Sequence, residues 1–193
     1  TLFAVLTRLK QICNFDRASG DSCKLDALRS IVDSAQPSDK ILVFSQFVES
    51  IEWISERLDA FPVDIYHGGQ TLEERDAVIS RFEASAGPRM LLISLRAGGV
   101  GLNLESASTV VLFDRWWNPA VETQAVFRAH RFSRTTPLYV VRFLVADTGG
   151  LTFAAEDDLA RQIQAQAGMA ISEADVIILV VDAAAGLTPF DRE

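Results

Sequence analysis

Gln124, Arg128 and Arg131 follow one another at spacings of four and three residues, which on a helix sets three polar side chains on one face. Two guanidiniums in such a row have two readings. They form a solvated face, or they act as arginine fingers that grip phosphate oxygens and stabilise the charge on a phosphoryl group in transfer. Upstream, Ser94-Leu95-Arg96-Ala97-Gly98-Gly99-Val100-Gly101-Leu102-Asn103-Leu104 carries three glycines within four residues. Such a backbone lets amides approach a phosphate or a sugar closely, and it is equally the usual material of a tight turn. The sequence Gly-x-x-x-x-Gly-Lys followed by Ser or Thr occurs nowhere in the chain, so the main phosphate cradle of a nucleotide site is missing. Asp114-Arg115-Trp116-Trp117-Asn118-Pro119 places two of the three tryptophans in one loop, just before a proline suited to a helix start. These rings either cap the core or contact a nucleic acid or a neighbouring lobe.

The elements that position these residues are legible as alternating patterns. Short apolar runs at 41–44, 63–66, 90–94, 109–113, 138–144 and 176–181 predict strands. Helical spacing between them predicts helices over 24–35, 48–60, 71–84, 120–131 and 156–172. Strands that are apolar on both faces and alternate with helices make an α/β protein with a mostly parallel sheet. In such sheets the chemistry gathers in the loops beyond the carboxyl ends of the strands, here beginning at Ser45, Tyr66, Ser94, Asp114 and Ala146.

The chain has 193 residues, 49% of them hydrophobic, enough for one substantial core or for one core and an incomplete second unit. No apolar run approaches the roughly 20 residues needed to cross a bilayer. Thr1-Leu2-Phe3 has no signal pattern, so the expectation is a cytosolic fragment of something longer. A net charge of −8 argues at first against nucleic acid. The total hides an asymmetry: residues 1–146 carry 16 Lys and Arg against 17 Asp and Glu, and residues 147–193 carry 2 against 9. Arg128, Arg131, Arg134 and Arg142 cluster near the end of the first part. Cys13 and Cys23, and the distant His67 and His130, match no zinc or redox pattern.

Taken in order, five motifs resemble one family. They are Val43-Phe44-Ser45-Gln46-Phe47; Tyr66-His67-Gly68-Gly69 with Glu73-Glu74-Arg75; Ser94 to Leu104; Asp114 to Pro119; and Gln124-x-x-x-Arg128-Ala129-His130-Arg131. With the lead-in Leu9-Lys10-Gln11-Ile12-Cys13-Asn14 and the segment Lys24-Leu25-Asp26-Ala27-Leu28, residues 1–146 resemble the second motor lobe of SWI/SNF-type ATPases. The resemblance implies a RecA-like three-layer lobe that closes on a first, N-terminal RecA-like lobe across ATP and Mg²⁺ while both grip duplex DNA. It implies that Arg128 and Arg131 reach the ATP phosphates, supported by Gln124, with Gly99, Gly101 and Asn103 on the nucleotide side. Ser45, Gln46, Ser94 and Leu95 would face the DNA backbone, and Trp116 and Trp117 would couple DNA contact to closure. Such a lobe would be inactive alone, with a cytoplasmic, nucleoid-associated place in a bacterium. One departure stands out: Arg131-Phe132-Ser133-Arg134 replaces the family's usual Arg-Ile-Gly-Gln, which makes Arg134 a candidate for an added phosphate contact.

From Asp147-Thr148-Gly149-Gly150 onward the pattern changes. With Gln162 to Ile171, Ala174-Asp175-Val176 and Gly186-Leu187-Thr188-Pro189, residues 147–193 resemble part of a Der-type ribosome-assembly GTPase, in which Asp147 and Gly150 would belong to a switch and GTP would be a possible ligand. Neither the phosphate loop nor the guanine-reading Asn-Lys-x-Asp is present, so the whole reads as a composite chain whose tail adds a helix and a strand. Three functions follow as alternatives: a DNA-translocase lobe, a guanine-nucleotide switch, and a stable fold without activity.

Overall fold

Every second residue along the first apolar run belongs to a different core, and that alternation sets the architecture. In β1 (Lys40–Ser45), Ile41 and Val43 pack on one face and Leu42 and Phe44 on the other, all fully or almost fully buried. The computed structural model describes residues 2–17, 19–58, 61–97, 101–116, 118–130 and 134–143, together with Gly168 and Ser172, both exposed and helical. The chain divides into two units at Leu144 and Val145, and all that follows concerns the first.

Among the described residues ten elements run in the order α1 (Leu2–Asn14), α2 (Cys23–Asp33), β1, α3 (Val48–Ser55), β2 (Val63–Tyr66), α4 (Leu72–Ala84), β3 (Arg89–Ser94), β4 (Thr109–Leu112), α5 (Pro119–Phe127) and β5 (Tyr139–Arg142). The five strands form one sheet in the order β2-β3-β1-β4-β5. All four pairings are parallel, with Ser45 opposite Ser94 and Phe44 opposite Leu112. Each pairing therefore needs a crossover, and helices supply it.

Two hydrophobic cores follow. Leu25 and Leu28 of α2 and Ile51, Trp53 and Ile54 of α3 cover one face, against Ile41, Val43, Met90, Leu92, Val111 and Phe113. Val78 and Phe82 of α4 and Ala125 of α5 cover the other, against Leu42, Phe44, Leu91, Ile93, Val110 and Leu112. This is the three-layer RecA-like α/β architecture that the sequence predicts. The helix starts follow local chemistry: Ser22 caps α2, Thr71 and Glu74 form a capping box on α4, and Asn118 caps α5 with Pro119 behind it.

Two features depart from the expectations. α1 has no counterpart among the predicted elements. The helix predicted over 120–131 stops at Phe127, where the amides of Ala129 and His130 both turn back to the Val126 carbonyl. The strand predicted at 176–181 lies outside the described residues, as does most of the helix predicted at 156–172.

Candidate functional site

At the carboxyl ends of the two central strands a single carboxylate gathers the loops. Asp114, 2% exposed just past β4, accepts the Ser45 hydroxyl at 2.5 Å and the Gln46 amide at 3.0 Å. It also accepts the Asn14 side-chain amide, which comes from α1 at 3.1 Å. Asn14 donates a second bond to Ser50 Oγ, and its Oδ1 accepts from Lys24 Nζ at 2.9 Å. Lys24, 8% exposed, also donates to the Phe113 carbonyl and lies over the Phe113 ring. Burial pushes the Lys24 ammonium below its ordinary value, and Asp114 draws it partly back. A buried cation is tolerable here because its ammonium is bonded to two oxygens and faces the Phe113 ring.

The next loop is fixed from the same edge. The Arg115 carbonyl accepts from both Lys10 Nζ and Gln46 Nε2. Glu122, in the first turn of α5, accepts Arg115 Nε at 2.8 Å and the Trp116 backbone amide at 2.7 Å through one oxygen. Trp116 is thereby held half-buried, with the Arg96 guanidinium 5.9 Å over its ring, a cation–π geometry.

Leu95, Arg96, Trp116, Val121, Gln124, Ala125 and Arg128 surround a cavity of about 210 Å³ above Phe44. Arg128 caps the C-terminus of α5 and is half-buried. Among the described residues, no hydrogen bond or ion pair engages its guanidinium. Burial lowers its pKa, with Tyr66 acting in the opposite direction, yet an arginine stays charged. A guanidinium that has lost water and has no carboxylate beside it is matched to an anion brought from outside.

The structure brings together Leu95, Trp116, Gln124 and Arg128 from the predicted set. Gly101 (φ +47°) and Asn103 are exposed and lie off this cavity, although their segment is tied to it by a bond from the Leu104 amide to the Arg128 carbonyl at 3.0 Å. Ser45, Ser94 and Leu95 are corrections: their side chains are buried in the lobe rather than turned outward, and the Ser45 hydroxyl is committed to Asp114. Gln46 is half-buried, with its amide on Arg115. The single helical face for Gln124, Arg128 and Arg131 is corrected by the end of α5 at Phe127. Arg134 is corrected as well, because its guanidinium is occupied by four backbone carbonyls. Gly99, Trp117, Arg131, Asp147 and Gly150 lie outside the described residues.

Sequence reasoning gave no site role to Asn14, Lys24 or Arg96, which it quoted only as members of motif segments, and it missed Glu122. Arg96 carried a further local signal, as the one cation in the glycine-rich segment. Among the described residues no cluster of His, Cys, Asp and Glu could hold a metal ion, and no helix is long and apolar enough to cross a membrane. Cys13 and Cys23 are free and half-buried.

The helicase conserved C-terminal domain matches residues 23–133, and the chain belongs to that family. Within it the chain is similar to SWI2/SNF2-type ATPases. The Sulfolobus solfataricus SWI2/SNF2 ATPase C-terminal domain superposes with a TM-score of 0.59 at 28% identity, covering 89% of this chain and 69% of that one. The core of the same ATPase in complex with dsDNA gives 0.55 at 29% identity, covering 74% and 32%. An uncharacterized ATP-dependent helicase of Schizosaccharomyces pombe is 42% identical over 126 residues, 64% of this chain. The chain spans 12% of the length of that relative.

Proposed function

We propose that the lobe formed by residues 1–144 is the second motor half of an ATP-dependent duplex-DNA translocase, contributing Arg128 to an ATP site that a first lobe completes. The observation that carries this is Arg128: half-buried at the rim of a cavity beside Gln124, with no counter-charge bonded to it among the described residues. Membership of the helicase C-terminal family supplies the nucleotide, and the dsDNA-bound relative supplies the second ligand. The residues present suit the phosphate end of ATP, since a guanidinium fork pairs with phosphate oxygens and offsets charge as it develops. ATP with its Mg²⁺ would be cradled chiefly by the first lobe, because this chain has no phosphate loop.

In this reading Arg131 is a second finger, Gln124 orients Arg128, and Gly99, Gly101 and Asn103 border the nucleotide. DNA contact falls to Gln46, Trp116, Trp117 and Arg96, with Ser45 and Ser94 acting from beneath through the loops that they anchor. Backbone contact of this kind makes binding largely independent of sequence.

The test mixes this chain with a separately made first lobe of a SWI/SNF-type ATPase and measures ATP hydrolysis with and without duplex DNA. DNA-stimulated turnover that vanishes in Arg128→Ala is the expected result. No turnover from a folded chain overturns the proposal.

A further inference from the structure

A backbone bond from the Leu104 amide to the Arg128 carbonyl at 3.0 Å joins the loop after β3 to the loop after α5. Arg134 Nη1 donates to the Glu105 carbonyl at 2.8 Å and to the Ala129 carbonyl at 3.3 Å. Glu105 and Ala129 are each one residue beyond the partners in that backbone bond. A single nitrogen thus closes the same junction from the other side. The rest of the fork fixes its own loop, with Nε on the Thr136 carbonyl at 2.8 Å and Nη2 on the Pro137 carbonyl at 2.9 Å.

We infer that Arg134 is a positioning residue for Arg128, a planar bracket that holds the finger loop against the glycine-rich loop. Its role is geometric, not one of charge neutralisation: four carbonyls, at Glu105, at Ala129 and at Thr136 and Pro137, are met by donors in one rigid plane. An ammonium carries the same charge on a single nitrogen and cannot bridge Glu105 and Ala129 while also holding Thr136 and Pro137. The functional consequence rests on the reading of Arg128 given above. A finger displaced by a fraction of an ångström loses interactions made in the transition state more than those made with bound substrate.

The bracket is tested first on the chain itself by amide hydrogen exchange in wild type, Arg134→Ala and Arg134→Lys. Exchange at Leu104 should accelerate about tenfold or more in both variants, while Leu92 and Val111 in the sheet keep their protection and report an intact fold. The second measurement is ATP hydrolysis with the separately made first lobe. There both variants should lose about tenfold or more in kcat, with KM for ATP within about threefold of wild type. Unchanged Leu104 exchange in Arg134→Ala, or a lysine variant that restores wild-type exchange, overturns the bracket. Absent turnover in the wild-type mixture removes the translocase reading alone, and the exchange measurement still decides the bracket.

Discussion

The Ser45 hydroxyl and the Asp114 carboxylate lie 2.5 Å apart at the ends of adjacent parallel strands, 69 residues apart in sequence. Through them the first loop of the sheet and the tryptophan loop share one anchor, which Asn14 reaches from α1. Asp114→Ala should destabilise the lobe by about 3 kcal/mol, since it removes at once the acceptor shared by the Ser45 hydroxyl, the Gln46 amide and the Asn14 side chain. Ser45→Ala removes one of them and should cost about 1 kcal/mol. Urea midpoints of the two variants check the ratio; equal losses would mean that Asp114 is no hub.

Arg128→Ala should separate stability from activity. The side chain has no protein partner among the described residues, so its removal should change stability by no more than about 0.5 kcal/mol. DNA-stimulated turnover with the first lobe should fall by about a thousandfold, the scale of a lost arginine finger. Thermal unfolding and steady-state hydrolysis on the same preparations test both halves.

Lys24 gives the fold a pH dependence in the alkaline range. Burial places its folded value below the ordinary 10.5. Between those two values the unfolded chain holds a proton that the folded chain has released, so stability rises with pH through that window. Below the folded value both states are protonated and the contribution is flat. Denaturation of wild type and Lys24→Met from neutral pH up to about 10.5 isolates the effect. The wild-type curve should gain on the variant as pH rises, and parallel curves would contradict the assignment.

Arg96 is exposed at the cavity rim, over the Trp116 ring. If it meets a DNA phosphate, Arg96→Ala should weaken duplex binding equally for unrelated sequences and lower the slope of log affinity against log salt by about one. Fluorescence-anisotropy titrations at four salt concentrations measure this. An unchanged slope assigns Arg96 to packing against Trp116 only.

The sheet was readable because parallel strands covered on both faces need apolar residues at every position, which leaves runs such as Ile41 to Phe44 that no surface segment would carry. The hub was unreadable for the opposite reason. Asn14, Ser45 and Asp114 meet across separations of 69 and 100 residues, so no local spacing betrays them. Ser45 was misread because a serine at a strand end has the same type whether its hydroxyl faces solvent or a buried carboxylate. Arg134 was misread because five N–H donors suit carbonyls as well as phosphates. Motif order singled out Arg128, and the helix expected to carry it ends one residue before it.

The strand order β2-β3-β1-β4-β5 also governs how the lobe is made. β1 and β2 come first in the chain, but both take β3 as a neighbour, and they do not pair with each other. During synthesis two apolar strands therefore leave the ribosome without native partners, and they wait until residue 94 has emerged. Long-range parallel pairing of this kind folds slowly and leaves strand edges open to other chains. Until β3 threads between them, α2 and α3 can cover only one apolar face of β1, and the backbone edges stay open.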